Sequence, residues 1–137
     1  MRIIRSLAAV LAGLGFMAAT ATVGMLVASL ALGRETPDVR LTPRAFSTFL
    51  FLNLVFCGIG GIFGGWLTAR IGSSAPYAHA AALAALVALV SIDVAMAMPT
   101  PGQPGWYPSV LGIVAVTSVL LGGKLRAAAS APVINRV

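Results

Sequence analysis

Apolar residues fill four long runs, roughly Leu7–Leu32, Ala45–Ala69, Ala78–Met98 and Trp106–Gly123, parted by short polar connections. The hydrocarbon core of a bilayer takes about 20 apolar residues in a helix, and each run is near or above that length. None alternates with the period of two that a barrel strand needs. In lipid the backbone satisfies its polar groups only in helices or closed barrels. The pattern therefore predicts four transmembrane helices in one membrane domain, residues 1–137: an all-α, polytopic four-helix bundle.

The connections carry their own signals. Pro37 and Pro43 mark an ordered polar loop of about a dozen residues after the first span. Arg70–Tyr77 is a short turn with Gly72 and Pro76, which forces the second and third helices to be antiparallel neighbours. Pro99, Pro101, Pro104 and Pro108 stiffen the third connection and stop the third helix sharply. The opening residues have the basic start and Ala-x-Ala (Ala19–Ala21) of a signal peptide. The apolar run continues to Leu32, however, well past the roughly 7–15 residues of a signal core, so an uncleaved first helix is expected.

Composition agrees with the pattern. The chain is 59% hydrophobic and 9% charged, with mean hydropathy +1.00, against roughly 25% charged residues in a soluble domain. A net charge of +6 invites a nucleic-acid reading, but the basic residues are scattered at span ends and form no patch interleaved with aromatics. Topology explains them better. Arg2, Arg5, Arg70, Lys124, Arg126 and Arg136 would share one side, and Arg34, Arg40 and Arg44, offset by Glu35 and Asp38, the other. Cytoplasmic segments are enriched in Lys and Arg. Both termini are thus expected in the cytoplasm, with the chain crossing a bacterial inner membrane.

Candidate chemistry is sparse. Asp93 is the one charged residue inside a run, about 7 Å below the outer end of the third helix at 1.5 Å per residue. A carboxylate at mid-membrane costs about 2.5–3.5 kcal/mol, so Asp93 is expected to face the bundle or water, or to be protonated. Asn53, one to two turns deeper on the second helix, is within range of a hydrogen bond to it. At 100° per residue Asn53, Cys57, Gly60 and Gly64 share one face, with Thr68 at its border. Gly60/Gly64 and Gly61/Gly65 are two overlapping G-x-x-x-G pairs. Gly13, Thr20, Gly24 and Ala28 give the first helix a similar small-residue stripe. Glycine lets backbones approach closely, so these stripes read as helix-packing faces, with a ligand, lipid or partner-helix groove as the sharper alternative. Trp66, Tyr77, Trp106 and Tyr107 sit at span ends, where half-solvated rings act as interface anchors. His79, the single histidine, lies roughly 21 Å along the axis from Asp93 and has no neighbouring ligand for a metal. No nucleophile–base pair, phosphate cradle, metal motif or cofactor motif is present. The expectation is a non-enzyme with no cofactor.

There is a weak internal echo: Gly64-Gly65-Trp66-Leu67 and Gly122-Gly123-Lys124-Leu125 close the second and fourth helices. It suggests two helical hairpins related by an axis along the membrane normal. Gly64–Arg70 (GGWLTAR), Pro76–His79 and the proline-rich Pro101–Pro108 also resemble a loose group of small four-span bacterial integral membrane proteins. That resemblance implies topology and no activity. Two readings follow. In the first, the chain is a structural or accessory subunit that packs against a membrane-protein partner or itself through its glycine faces. In the second, it is a small transporter or permeation protein, working as a dimer around Asp93 and Asn53. Small multidrug exporters carry an acid in their first span, and this chain has none there.

Overall fold

The structure is a computed structural model that describes residues 2–31, 43–72, 75–97 and 104–130, with backbone alone for 2–3, 43–45 and 97. Four helices fill it: α1 (Arg2–Ala31), α2 (Pro43–Ile71), α3 (Pro76–Ala97) and α4 (Tyr107–Ala129). All four are long and apolar enough to cross a membrane, and no strand occurs among the described residues. All of Arg34–Arg40, including Glu35, Pro37 and Asp38, lies outside the described residues, as do Pro99, Pro101 and Arg136.

The helices outrun the apolar runs wherever the neighbouring sequence permits. α2 and α3 begin on Pro43 and Pro76, and proline suits the first helical position because no intrahelical partner awaits its missing N–H. α4 runs to Ala129, well past Gly123. Lys124 and Arg126 end the hydrophobic run but not the helix, since Lys, Leu, Arg and Ala are all strong helix formers.

Successive helices run in opposite directions, so α1 and α3 are parallel, as are α2 and α4. The start of α1 and the end of α4 share one end of the bundle, here the terminal end. Arg5 Nε donates to the Ile71 carbonyl at 3.1 Å, and a Cβ on Gly123 would abut Ala80. The opposite end is the distal end. α2 is central: it packs on α1, α3 and α4, while α1 and α4 do not meet among the described residues. A two-fold axis between hairpins would pair α1 with α4 as it pairs α2 with α3. Only the second contact is made, so the echo does not extend to a symmetric bundle.

Glycines place the helices. A Cβ on Gly65 would sit inside the Val119 carbonyl, and one on Gly122 would overlap the Ile62 carbonyl and lie 2.9 Å from Trp66 N. The α2 and α4 backbones therefore touch at Gly65 and Gly122. On the neighbouring side of α2, a Cβ on Gly64 would lie 2.9 Å from the Gly13 carbonyl, and one on Gly60 3.1 Å from Thr20 Cβ. Gly24 faces the Phe56 ring. The small-residue stripe of α2 thus divides in two. Gly60, Gly64 and Thr68 meet α1; Gly61 and Gly65 meet α4. Such contact gains dispersion energy where burial away from water offers no drive. Leu83, Ala84, Val87, Ala115 and Val119 form the core beside it.

Candidate functional site

Three features stand out against the apolar bundle: a buried polar pair in the distal half, a latch at the terminal end, and a charged residue on an outer face.

The polar pair joins α2 to the start of α4. Asn53 Nδ2 donates to Tyr107 Oη at 2.7 Å. Tyr107 retains 1% of its exposure and clusters with Ala28, Phe49 and Leu50. One turn deeper, Cys57 Sγ lies 4.0 Å from the Leu111 carbonyl. Asn53, Cys57, Gly61 and Gly65 recur every four residues, so one ladder of α2 faces α4 along its length. This corrects two expectations. Asn53 pairs with Tyr107 rather than Asp93, and Tyr107 is a buried bundle residue rather than a headgroup anchor. Its neighbour Trp106 is 56% exposed and packs edge-on against it, the ring centroids 5.9 Å apart. Trp66 is half-buried and Tyr77 exposed, with Arg70 lying 5.1 Å above the Trp66 ring centroid.

At the terminal end His79 bridges α3 to α1. Its Nδ1 lies 2.8 Å from the Ala75 carbonyl and its Nε2 2.9 Å from Ser6 Oγ. A carbonyl only accepts, so the proton of the neutral ring belongs on Nδ1 and Nε2 accepts from the Ser6 hydroxyl. The buried Gly72 makes room, since a Cβ there would overlap the imidazole. This is a structural fastening, far from Asp93.

Asp93 is exposed and makes no hydrogen bond or ion pair among the described residues. Of the alternatives open to it, the bundle-facing one is thus excluded, and Asp93 lies on an outer face. The buried residues of α3 are Ala80, Leu83, Ala84 and Val87, one helical face. Asp93 follows Val87 by six residues, about 120° away around the axis. Its flanking residues Leu89, Val90, Ile92, Val94 and Met96 are 67, 51, 62, 51 and 82% exposed. Depth follows from the α3–α4 register. A Cβ on Gly112 would lie 3.0 Å from Ser91 Cβ, so these residues are level and Asp93 is level with Val110. That is one turn, about 6 Å, inside Trp106.

Two grooves flank this part of α3. One of about 400 Å³ opens between α3 and α4, lined by Ala88, Ser91, Ile92, Ala95, Gly112 and Ile113 among others. A second, of about 210 Å³, lies between α1 and α3 with Cys57 on its wall. Ser91 lines both, so α3 is undercut on two sides where it leaves the core. Among the described residues no group of three or more His, Cys, Asp or Glu could hold a metal. Asn53 turns inward against α4 while Asp93 lies on an exposed face of α3, so the two form no pair within one chain.

No family model matches the sequence, and neither a curated protein nor a solved structure matches it.

Proposed function

We propose that this four-span membrane protein is an accessory subunit that docks on a larger membrane-protein partner through the distal half of α3. The observation that carries this reading is the exposed Asp93 on an apolar face one turn inside Trp106. A charge facing lipid is costly. A partner that covers it, and supplies a cation or hydrogen-bond donors, removes that cost. The undercut helix beside it offers large side chains, Leu89, Val90 and Met96, to a second surface. The sequence carries no catalytic motif, which favours a subunit that contributes packing rather than chemistry.

Purification in mild detergent, with a photo-crosslinking residue at Met96 and another at Leu121, tests the proposal. A stoichiometric larger partner joined at Met96, and lost with Asp93→Leu, supports it. A homodimer whose stability responds to added substrate, with Asp93 at its interface, would favour the transporter reading instead. The excess of arginine and lysine at the terminal end supports a cytoplasmic location for it, in a bacterial inner membrane. Cysteines at Thr36 and Gly102, in a Cys57→Ala background, should then label from outside the inner membrane only. Labelling of either from the cytoplasm alone would invert the topology.

A further inference from the structure

The terminal end of the bundle is positively charged and holds no acid among the described residues. Arg5, Arg70, Lys124 and Arg126 stand there, while Asp93 belongs to the distal end of α3 and Glu35 and Asp38 to the connection between α1 and α2. Arg126 differs from the other three. Its Nη1 donates to Ser130 Oγ at 2.8 Å, and the Ser130 hydroxyl donates to the Arg126 carbonyl at 2.8 Å. Ser130 thereby fixes the guanidinium on its own helix. The Nε of Arg126 is buried and meets no acceptor. No hydrogen bond occupies Nη2 among the described residues either. Nε and Nη2 together form the fork that grips two oxygens of a phosphate or carboxylate. A buried donor without an acceptor is costly, so this edge gains by turning outward onto an anion.

The register places other phosphate-seeking groups nearby in depth. Gly123 abuts Ala80, and α3 and α4 are antiparallel. Arg126 is therefore level with Tyr77, which is 49% exposed. Gly122 is level with Trp66, and α2 and α4 are parallel, so Arg126 is also level with Arg70. Trp66 and Tyr77 mark the headgroup zone, where amphipathic rings settle. Basic pockets between helices at that depth suit lipid phosphates.

We propose that the terminal end carries a site for an anionic phospholipid, with the headgroup phosphate seated on the Nε–Nη2 edge of Arg126. Lys124 supplies the control. It points away from α2, about 200° around α4 from Gly122, and carries the same charge at nearly the same depth.

Delipidated protein in mild detergent is titrated with phosphatidylglycerol, phosphatidylcholine or inorganic phosphate. Bound lipid is counted by native mass spectrometry, and the melting temperature is followed in parallel. Phosphatidylglycerol should bind and raise the melting temperature, while the other two should not. Arg126→Gln should weaken phosphatidylglycerol binding on the order of tenfold. Lys124→Gln should change it by no more than about twofold. Arg126→Lys, which keeps the charge and loses the fork, should behave like Arg126→Gln and keeps the test alive if the glutamine variant does not fold. Equal losses for Arg126→Gln and Lys124→Gln would mean diffuse attraction and overturn the site. Inorganic phosphate binding as tightly as the lipid would overturn its assignment to a phospholipid.

Discussion

The two halves of this bundle are built on opposite terms. In the terminal half, backbones touch. Gly65 and Gly122 bring α2 against α4, Gly13 and Gly64 bring α1 against α2, and Ala80 fills the place beside Gly123. Ser6, His79 and the Arg5–Ile71 bond then tie α1 to the α2–α3 turn. In the distal half the large side chains Phe49, Leu50 and Tyr107 hold α1, α2 and α4 together, and α3 is left with grooves on both sides and every residue from Ile92 to Met96 exposed. The lesson concerns tolerance. Close backbone contact cannot absorb one added carbon, whereas an uncovered helix face can accept a large one, and such a face is available to something else.

Substitutions rank along this difference. Gly65→Leu and Gly122→Leu should have the largest effect, because the opposing atoms are main chain and only a shift of whole helices makes room. Overpacking typically costs about 1–3 kcal/mol, and these sites should reach or exceed its upper end in thermal or denaturant unfolding. Gly60→Ala should cost distinctly less, since its neighbour is the Thr20 side chain at 3.1 Å. Equal penalties for alanine at Gly60 and Gly65 would mean that a side-chain neighbour yields no more than a main-chain one.

Tyr107→Phe comes next. It strips the hydroxyl from a buried pair and leaves the Asn53 amide without its partner. Interhelical hydrogen bonds in membranes average about 0.6 kcal/mol and reach about 1.7, and a loss near 1 kcal/mol is expected. Asn53→Leu in the Tyr107→Phe background should recover part of it, because no polar group is then stranded. No recovery would place the importance of Tyr107 in its ring alone.

Asp93→Asn should change the stability of the isolated chain little, with a small gain the expected sign, since a costly charge is removed and no internal bond is broken. Any loss of stability above about 1 kcal/mol would mean that Asp93 is held by the bundle. Gly15→Ala should likewise be a small gain rather than a loss. No atom lies within 4 Å of a Cβ there, so the helix preference for alanine should stabilise α1 by about 0.5–1 kcal/mol.

The spans were legible because lipid imposes one strong condition, length of apolar sequence, and all four runs meet it. Helix ends were less so, since Lys124 and Arg126 stop hydrophobicity without stopping a helix. Tyr107 was misread because Trp106-Tyr107 at a span end has the composition of an aromatic girdle. Its phase held the missing signal: Tyr107, Leu111, Ala115, Ser118 and Gly122 follow one another at three- and four-residue steps, the stripe that faces α2. Asp93 was legible only as three alternatives: facing the bundle, facing water, or protonated. The cost of a buried charge says that it needs cover, but not that the same chain provides it. Its phase relative to Ala80, Leu83 and Val87 places it outside.

The contrast between the halves can be put to one comparison, Gly65→Ala against Met96→Trp in phosphatidylcholine nanodiscs, read as the change in melting temperature. A single methyl at Gly65 is expected to lower it by several degrees, on the order of 2–8 °C per kcal/mol lost. A whole indole at Met96, on the exposed face of α3, is expected to leave it within about a degree. A Met96→Trp protein that melts as low as Gly65→Ala would contradict the free face at Asp93, and a Gly65→Ala protein that melts like the parent would contradict the backbone contact at Gly65.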